Sequence, residues 1–432
     1  MSIPWYGILP NHWYSQRIKT LFSLRDERNY EPLSDVRLLT LYTAYGVRPH
    51  DEVEKTTGNR AVTADGYKIV YENDIIVNII LCWQGAIGLS KYDGVTSPAY
   101  DVYKAKSDDV NVSYYNYLFR LPIFSGECYK AGRGIMAMRW RTYSDQFTVI
   151  TVPLPPRHEQ DQIVRYLDWK VSQINKLINA KQRQIGLLRE YIGASIDNIF
   201  RSATESATSL TRCTTKIGSG KTPRGGVAVY VESGIMFIRS QNVYPSGLVT
   251  NAAYYITDEI DESMRSTRVY KGDVLLNITG GSLGRSCVYD FEEHANVNQH
   301  VCIIRPNHDL LVPEYLTYYL NSPLGQEVMT LSQNEGNRES LTFVQIGALK
   351  IPLPSVDEQK RILKIVNAVA NPTEAVINRF NDEISYLAEY RTRLLSDIVT
   401  GKLDVQSVAV PEYEVEAEAP NISNESDEME VV

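Results

Sequence analysis

Across 432 residues there is no CxxC pair and no His-x3-His spacing, and the five cysteines, Cys82, Cys128, Cys213, Cys287 and Cys302, are odd in number and scattered. Such usage argues against structural zinc and for a reducing compartment. Long apolar runs are missing too. The longest, Ile75 to Trp83, is interrupted by Asn78 and is too short to span about 30 Å of hydrocarbon. No membrane partner is expected. The N-terminus carries Pro4, Trp5, Pro10, His12 and Trp13 where a secretory signal needs a basic stretch and an apolar core, so a cytoplasmic protein is expected. Bases are absent from residues 405–432, whose eight acids account for the whole net charge of −8 and leave residues 1–404 neutral. An acidic stretch of this kind reads as a disordered, solvating tail over 403–432.

Signatures of independent catalysis are also lacking. There is no GxGxxG turn, no HExxH and no GxSxG, and the six histidines pair with no nucleophile at a recognisable spacing. Asn371-Pro372-Thr373 and Ser97-Pro98-Ala99-Tyr100 both fail the Asn/Asp-Pro-Pro-aromatic pattern of amino-methyltransferases. Gly218-Ser-Gly220-Lys221-Thr222 resembles the end of a P-loop, but Thr215 stands where its first glycine belongs. Pro223, Arg224, Gly225 and Gly226 follow where a helix must begin. The reading is of a non-catalytic chain with no metal site and no cofactor of its own.

What is present is a duplication. Tyr71-Glu-Asn-Asp74-Ile-Ile-Val-Asn78 recurs as Tyr270-Lys-Gly-Asp273-Val-Leu-Leu-Asn277, Val152-Pro-Leu-Pro-Pro156 as Ile351-Pro-Leu-Pro-Ser355, and His158-Glu159-Gln160 as Asp357-Glu358-Gln359. All three pairs share one offset, so two copies of one unit are expected. Each copy begins with short β-branched and aromatic runs bounded by turn residues, such as Gly234-Ile-Met-Phe-Ile238. Each then passes through an extended Pro-Leu-Pro segment into a long helix. Ser355 and Glu358 have capping-box spacing at the second helix, and Gly401 suits its stop.

Both helices carry heptads. Val164, Val171, Ile178, Ile185 and Ile192 form one row of the first, with Leu167, Ile174 and Leu188 beside it and Lys181 breaking the companion row. In the second, Leu363, Ala370, Ile377, Ile384 and Ile398 are accompanied by Val366, Thr373, Phe380, Leu387 and Leu394. A seam sustained this long means coiled coil. Pro372 is expected to kink the second helix. A helix of about 43 residues reaches about 65 Å and cannot bury its stripe on a small β domain alone. Antiparallel pairing of the two helices is therefore expected, giving an α+β fold with two β-rich domains in a dumbbell of pseudo-two-fold symmetry.

The succession Ile217-Gly-Ser-Gly-Lys-Thr-Pro223, Phe237-Ile-Arg239-Ser-Gln-Asn-Val243, Gly272-Asp-Val-Leu-Leu-Asn277, Gly280-Gly-Ser-Leu-Gly-Arg285 and Asn296-Val-Asn-Gln-His-Val301 resembles a target-recognition domain of Type I restriction specificity subunits, the HsdS family. The Pro-Leu-Pro and Glu-Gln entry to each helix resembles that family as well, as does Trp5-Tyr-Gly-Ile-Leu-Pro-Asn-His-Trp13. The resemblance implies target-recognition domains at 1–152 and 204–352, spacer helices at 153–203 and 353–402, and double-stranded DNA as ligand. It further implies two methyltransferase subunits and motor-nuclease restriction subunits as partners, which own the S-adenosylmethionine and ATP chemistry. The alternative is an orphan specificity subunit of a methylation-only system, which neighbouring genes would distinguish. In the first half Leu81-Cys-Trp-Gln-Gly-Ala-Ile-Gly88 replaces Thr279-Gly-Gly-Ser-Leu-Gly-Arg285, and Ser97-Pro-Ala-Tyr100 replaces Asn298-Gln-His300, so the halves are expected to read different sequences.

Arginine and lysine bond guanine edges, Asn and Gln bond adenine, and glycine-rich backbone approaches phosphate. On that chemistry the candidate DNA-binding residues of the second domain are Lys221, Thr222, Arg239, Ser240, Asn242, Arg285, Asn298, Gln299, His300, Asn337 and Arg338. Those of the first are Asn59, Arg60, Trp83, Gln84, Lys91, Arg133, Arg139 and Arg141. Bland readings compete: Asn298 and Gln299 as turn residues, His300 as a packing histidine, and Trp83 as core.

Overall fold

The computed structural model describes residues 2–43, 46–52, 63–135, 140–202, 207–225, 229–251, 253–332 and 340–416. The chain forms two compact units, Met1–Gln182 with Asp382–Val432 and Arg183–Asn381, so the units divide within the long helices and each contains part of both.

In the first unit, Phe22–Arg25, Tyr100–Ala105, Ile75–Asn78 and Ile87–Leu89 form a four-stranded antiparallel sheet in that order. Ile75–Asn78 is buried along its whole length, as its unbroken Ile-Ile-Val run requires. Aromatic residues fill the space beneath: Phe22, Tyr115, Phe119, Phe124 and Phe147 pack together, with Phe119 and Phe124 rings 4.8 Å apart. Ile163, Leu167, Ile174 and Ile178 of the first long helix and Leu394 and Ile398 of the second enter this same core. Here the heptad rows meet. The helices run antiparallel in this unit, with Arg391 Nη1 donating to Asn175 Oδ1 at 2.9 Å and Lys181, the seam breaker, paired with Glu383.

The second unit repeats the sheet: Thr214–Ser219, Val301–Pro306, Val274–Asn277 and Ser286–Val288, again antiparallel and in the same order. It adds a second four-stranded sheet, Tyr254–Ile256, Ile235–Ile238, Ala295–Val297 and Arg268–Val269, in which Ile235–Ile238 runs parallel to Ala295–Val297.

The repeated residues hold equivalent joints. Gln160 accepts from Asn111 N (2.8 Å) and donates to Asp109 O and Pro155 O. Gln359 accepts from Val312 N (2.9 Å) and donates to Leu310 O and Pro354 O. Both glutamines are fully buried, so each satisfies backbone groups that water cannot reach. Asp74 and Asp273 each bind an arginine, Arg25 at 2.8 Å and Arg305 at 2.7 Å, which lies over the repeated tyrosine, Tyr71 or Tyr270. The arginines come from different strands, Phe22–Arg25 in one unit and Val301–Pro306 in the other.

The helices span Arg157–Ser202 and Val356–Val399. Half of the expected capping box forms: Ser355 Oγ accepts from Glu358 N at 3.3 Å, while the Glu358 carboxylate turns to Arg361. Gly401 takes φ +68° at the C-terminal stop, the left-handed conformation glycine adopts freely. The second helix continues through Pro372.

The tail departs from expectation. Residues 403–416 lie along the first helix, with Gln162 Nε2 donating to Val405 O and Val408 O, Arg165 to Val410 O, and Ser172 Oγ to Glu414 O. Val405 and Val410 are buried. The acid count hides these two valines, which give the segment an apolar edge to dock, and its backbone meets the polar side chains of the helix. Residues 417–432 lie outside the described residues.

Candidate nucleic-acid interface

In the second unit the motif segments converge. Gly220 N donates to Val301 O (3.3 Å) and Lys221 N to Val297 O (3.1 Å), so the Gly-Ser-Gly-Lys-Thr loop lies against the Asn298–His300 turn. Thr222 Oγ1 hydrogen-bonds Gln299 Oε1 across that contact. Asn298 N donates to Ile238 O (2.9 Å), which brings the turn beside Arg239. Asn277 Nδ2 donates to Ser240 O (2.8 Å), and Gly284 N donates to Asn277 O (2.9 Å), linking the Arg239–Asn242 turn to the Gly280–Arg285 loop. His300 closes the set through Thr279, Nδ1 to Oγ1 at 2.7 Å.

Glycine at 220 has a steric cause. A Cβ there would stand 1.7 Å from Val297 O, whereas one at Gly218 would meet nothing within 4 Å. The resemblance to a P-loop therefore comes from two loops crossing. No helix begins over Lys221–Gly225, so the helix N-terminus that would hold phosphate is missing at this loop.

The convergence separates exposed candidates from braces. Lys221, Thr222, Gln299 and Arg285 are exposed, and Arg239 and Ser240 are half-buried. Asn242, only 2% exposed, accepts from Arg239 N and donates to Val249 O. Asn298, 7% exposed, accepts from His300 N. These two candidates shape loops rather than present free edges. Arginine pairing divides the same way. Arg268 binds Asp261 and Glu262, and Arg305 binds Asp273. Arg239 and Arg285 instead lie over the rings of Tyr254 (3.8 Å) and Tyr244 (5.2 Å) and meet no carboxylate among the described residues. Asn337 and Arg338 lie outside the described residues, as do Asn59, Arg60 and Arg139 of the first domain.

The first unit gathers a different set. Thr142 N donates to Ile79 O (2.9 Å), which ties the Arg141 segment to the turn carrying Trp83 and Gln84. Arg133 and Arg141 exchange two backbone hydrogen bonds, and Arg133 lies 5.3 Å from the Tyr143 ring centre. Trp83 is half-buried, donates to Ile80 O (2.8 Å) and packs on Tyr129, which stacks on Trp140 at 4.7 Å. With its N–H satisfied, Trp83 offers an aromatic surface rather than a hydrogen-bonding edge. Lys91 is apart from this set. It is close enough to the first helix to act on Asp168, whose carboxyl is raised by burial while the Tyr117 hydroxyl and Lys91 pull it down.

The sequence reasoning missed Tyr244 and Tyr254, which support the two unpaired arginines. Their signal was faint, a tyrosine near each arginine-bearing loop. Among the described residues no three His, Cys, Asp or Glu side chains assemble a metal site, and no helix is long and apolar enough to cross a membrane.

Comparison with known proteins agrees with this geometry. Residues 216–386, which hold nearly all the converging loops, match the Type I restriction modification DNA specificity domain. The specificity subunit of the Type I restriction enzyme EcoBI from Escherichia coli is 26% identical over 41% of this chain, a match spanning only 37% of that relative's length. The MjaVIII specificity subunit of Methanocaldococcus jannaschii is 22% identical over 79% of this chain and 81% of its own. Among solved structures, a chain from a study of complex assembly and conformational transition in the type I R-M system superposes with TM-score 0.65 at 16% identity. That superposition covers 92% of this chain and 100% of the other, and it shows a shared fold. With its doubled sheet, its two long helices and its specificity-domain match over residues 216–386, the chain is similar in fold and in part of its sequence to Type I restriction-modification specificity subunits.

Proposed function

We propose that this chain reads a split, asymmetric site in double-stranded DNA and directs methyltransferase and restriction subunits to it, without chemistry of its own. The observation that carries the reading is the loop cluster of the second unit, where exposed Lys221 and Gln299 and the unpaired Arg239 and Arg285 meet on one scaffold. Those side chains suit phosphate and major-groove edges. The first unit repeats the scaffold with Trp83, Gln84, Arg133 and Arg141 in its loops, so each unit reads its own half-site. The helices set the unread gap between the halves, and two methyltransferase subunits dock on the helices and their flanks.

Methylome sequencing of cells expressing the chain with its methyltransferase tests this. One split motif is expected. Inserting or removing a heptad-scale step in the first helix is expected to change the gap and leave both half-sequences intact. Altered half-sequences with a constant gap, or methyl transfer from S-adenosylmethionine by the isolated chain, would overturn the reading.

A further inference from the structure

Arg239 is held in an unusual way for a half-buried arginine. Its guanidinium lies 3.8 Å over the Tyr254 ring, and Tyr254 in turn stacks on Tyr230 at 4.4 Å with the rings 13° from parallel. The backbone fixes this three-layer stack. Phe237 and Tyr254 are paired in antiparallel register, and Val231 N donates to Tyr255 O at 3.0 Å, which anchors the segment carrying Tyr230. Arg239 follows two residues after Phe237, and its own N–H is held by Asn242 Oδ1 at 2.9 Å. Yet its Nε is buried without a hydrogen-bond partner. An arginine serving the fold would be paired, as Arg268 and Arg305 are. Stacking fixes the plane of the guanidinium and restricts its rotation while no carboxylate among the described residues takes its donors, the condition for bidentate bonding to guanine O6 and N7.

We propose that Tyr254, backed by Tyr230, is a positioning residue that holds Arg239 flat, and that Arg239 reads one guanine of the second half-site. This rests on the DNA-reading function proposed above and names the specificity element within it. A ring stack fixes the plane of the guanidinium without neutralising its charge, whereas an ion pair would do both.

The test uses the full chain with its methyltransferase subunits. Methylation rates are compared on duplexes carrying the wild-type site and each single base-pair change. Arg239→Lys is expected to lower discrimination about tenfold or more at one G·C pair of the second half-site. Tyr254→Leu is expected to relax the same pair, Tyr254→Phe to retain wild-type discrimination, and the first half-site to stay unchanged in all three. Tyr230→Leu, which leaves Tyr254 in place, is expected to relax that pair partially and covers a failure of Tyr254→Leu to fold. Unchanged discrimination in Arg239→Lys, or equal relaxation at every position of both half-sites in the tyrosine variants, would overturn the proposal. A wild-type complex that methylates no split site would instead sink the DNA-reading function itself.

Discussion

The two units use one four-stranded sheet and surround it differently. In the first, the pairs Leu39–Tyr42 with Gly46–Pro49 and Lys68–Val70 with Gly94–Thr96 flank the sheet. In the second, a mixed four-stranded sheet takes that place and carries Tyr254 and Arg239 at its edge. The joints at Gln160 and Gln359, and the tyrosine–carboxamide or tyrosine–carboxylate contacts Tyr318–Asn367 (2.7 Å) and Tyr117–Asp168 (2.6 Å), stay the same. What is constant is where a domain joins its helix. What varies is the loop surface. The loop surface of one unit can thus vary without disturbing the joint to its helix.

The sharpest test of the shared scaffold removes its buried carboxylates. Asp74→Ala and Asp273→Ala each leave a half-buried arginine without its buried carboxylate and are expected to destabilise their own unit by up to about 3–5 kcal/mol. Asp74 belongs at the upper end, because its partner Arg25 is less exposed than Arg305 (13% against 30%). All five tryptophans lie in the first unit, so tryptophan fluorescence during urea unfolding follows that unit alone, and hydrogen exchange follows the second. Coincident loss in both units from either variant would refute the independence of the two scaffolds.

Next in size is Gly220→Ala, where a Cβ would drive into the Val297 carbonyl. The clash is expected to cost about 1–3 kcal/mol by overpacking and to displace Lys221 and Thr222. Second half-site discrimination is expected to fall, with the first unaffected. Gly218→Ala, two residues away with open space, is the control and is expected to behave as wild type. Equal defects in the two variants would mean that the loop needs glycine for another reason.

The duplication, the sheet-to-helix joints and the heptads were legible in the sequence because they depend on local periodicity and on residues repeated at one offset. Gln160 and Gln359 were visible as a repeat, although their hydrogen bonds were not. The first half's loops, with no repeated motif to follow, showed only residue types, and Lys91 was grouped with Trp83 that way. Candidate contact residues could not be told from braces: Asn242 and Arg239 look equally able on paper, and only burial and hydrogen bonding assign one to the backbone and the other to a ring stack. The tail misled through its composition. Its charge argued for solvation, but Val405 and Val410 and the helix side chains Gln162, Ser172 and Asn175 dock it.

The smallest expected effect concerns the sheet that only the second unit has. Burial of Asp261 raises its carboxyl, but hydrogen bonds from Arg268, His294 and Asn296 outweigh that and hold it below the usual carboxylate range. A carboxylate depressed in the folded state contributes stability that is fully present above its unfolded value, about 3.9, and is lost as pH falls through the folded value. At neutral pH Asp261→Asn is therefore expected to destabilise the second unit, by removing the anion that Arg268 and His294 bind. As pH falls below about 4 the gap between variant and wild type should begin to narrow, closing once pH is below the folded value. Hydrogen exchange across Tyr254–Ile256 and Ala295–Val297, measured from pH 7 downward, reads this directly. A gap that stays constant with pH would show that Asp261 acts through shape and not charge, and the second unit's additional sheet would then differ from the first unit's flank in architecture but not in acid response.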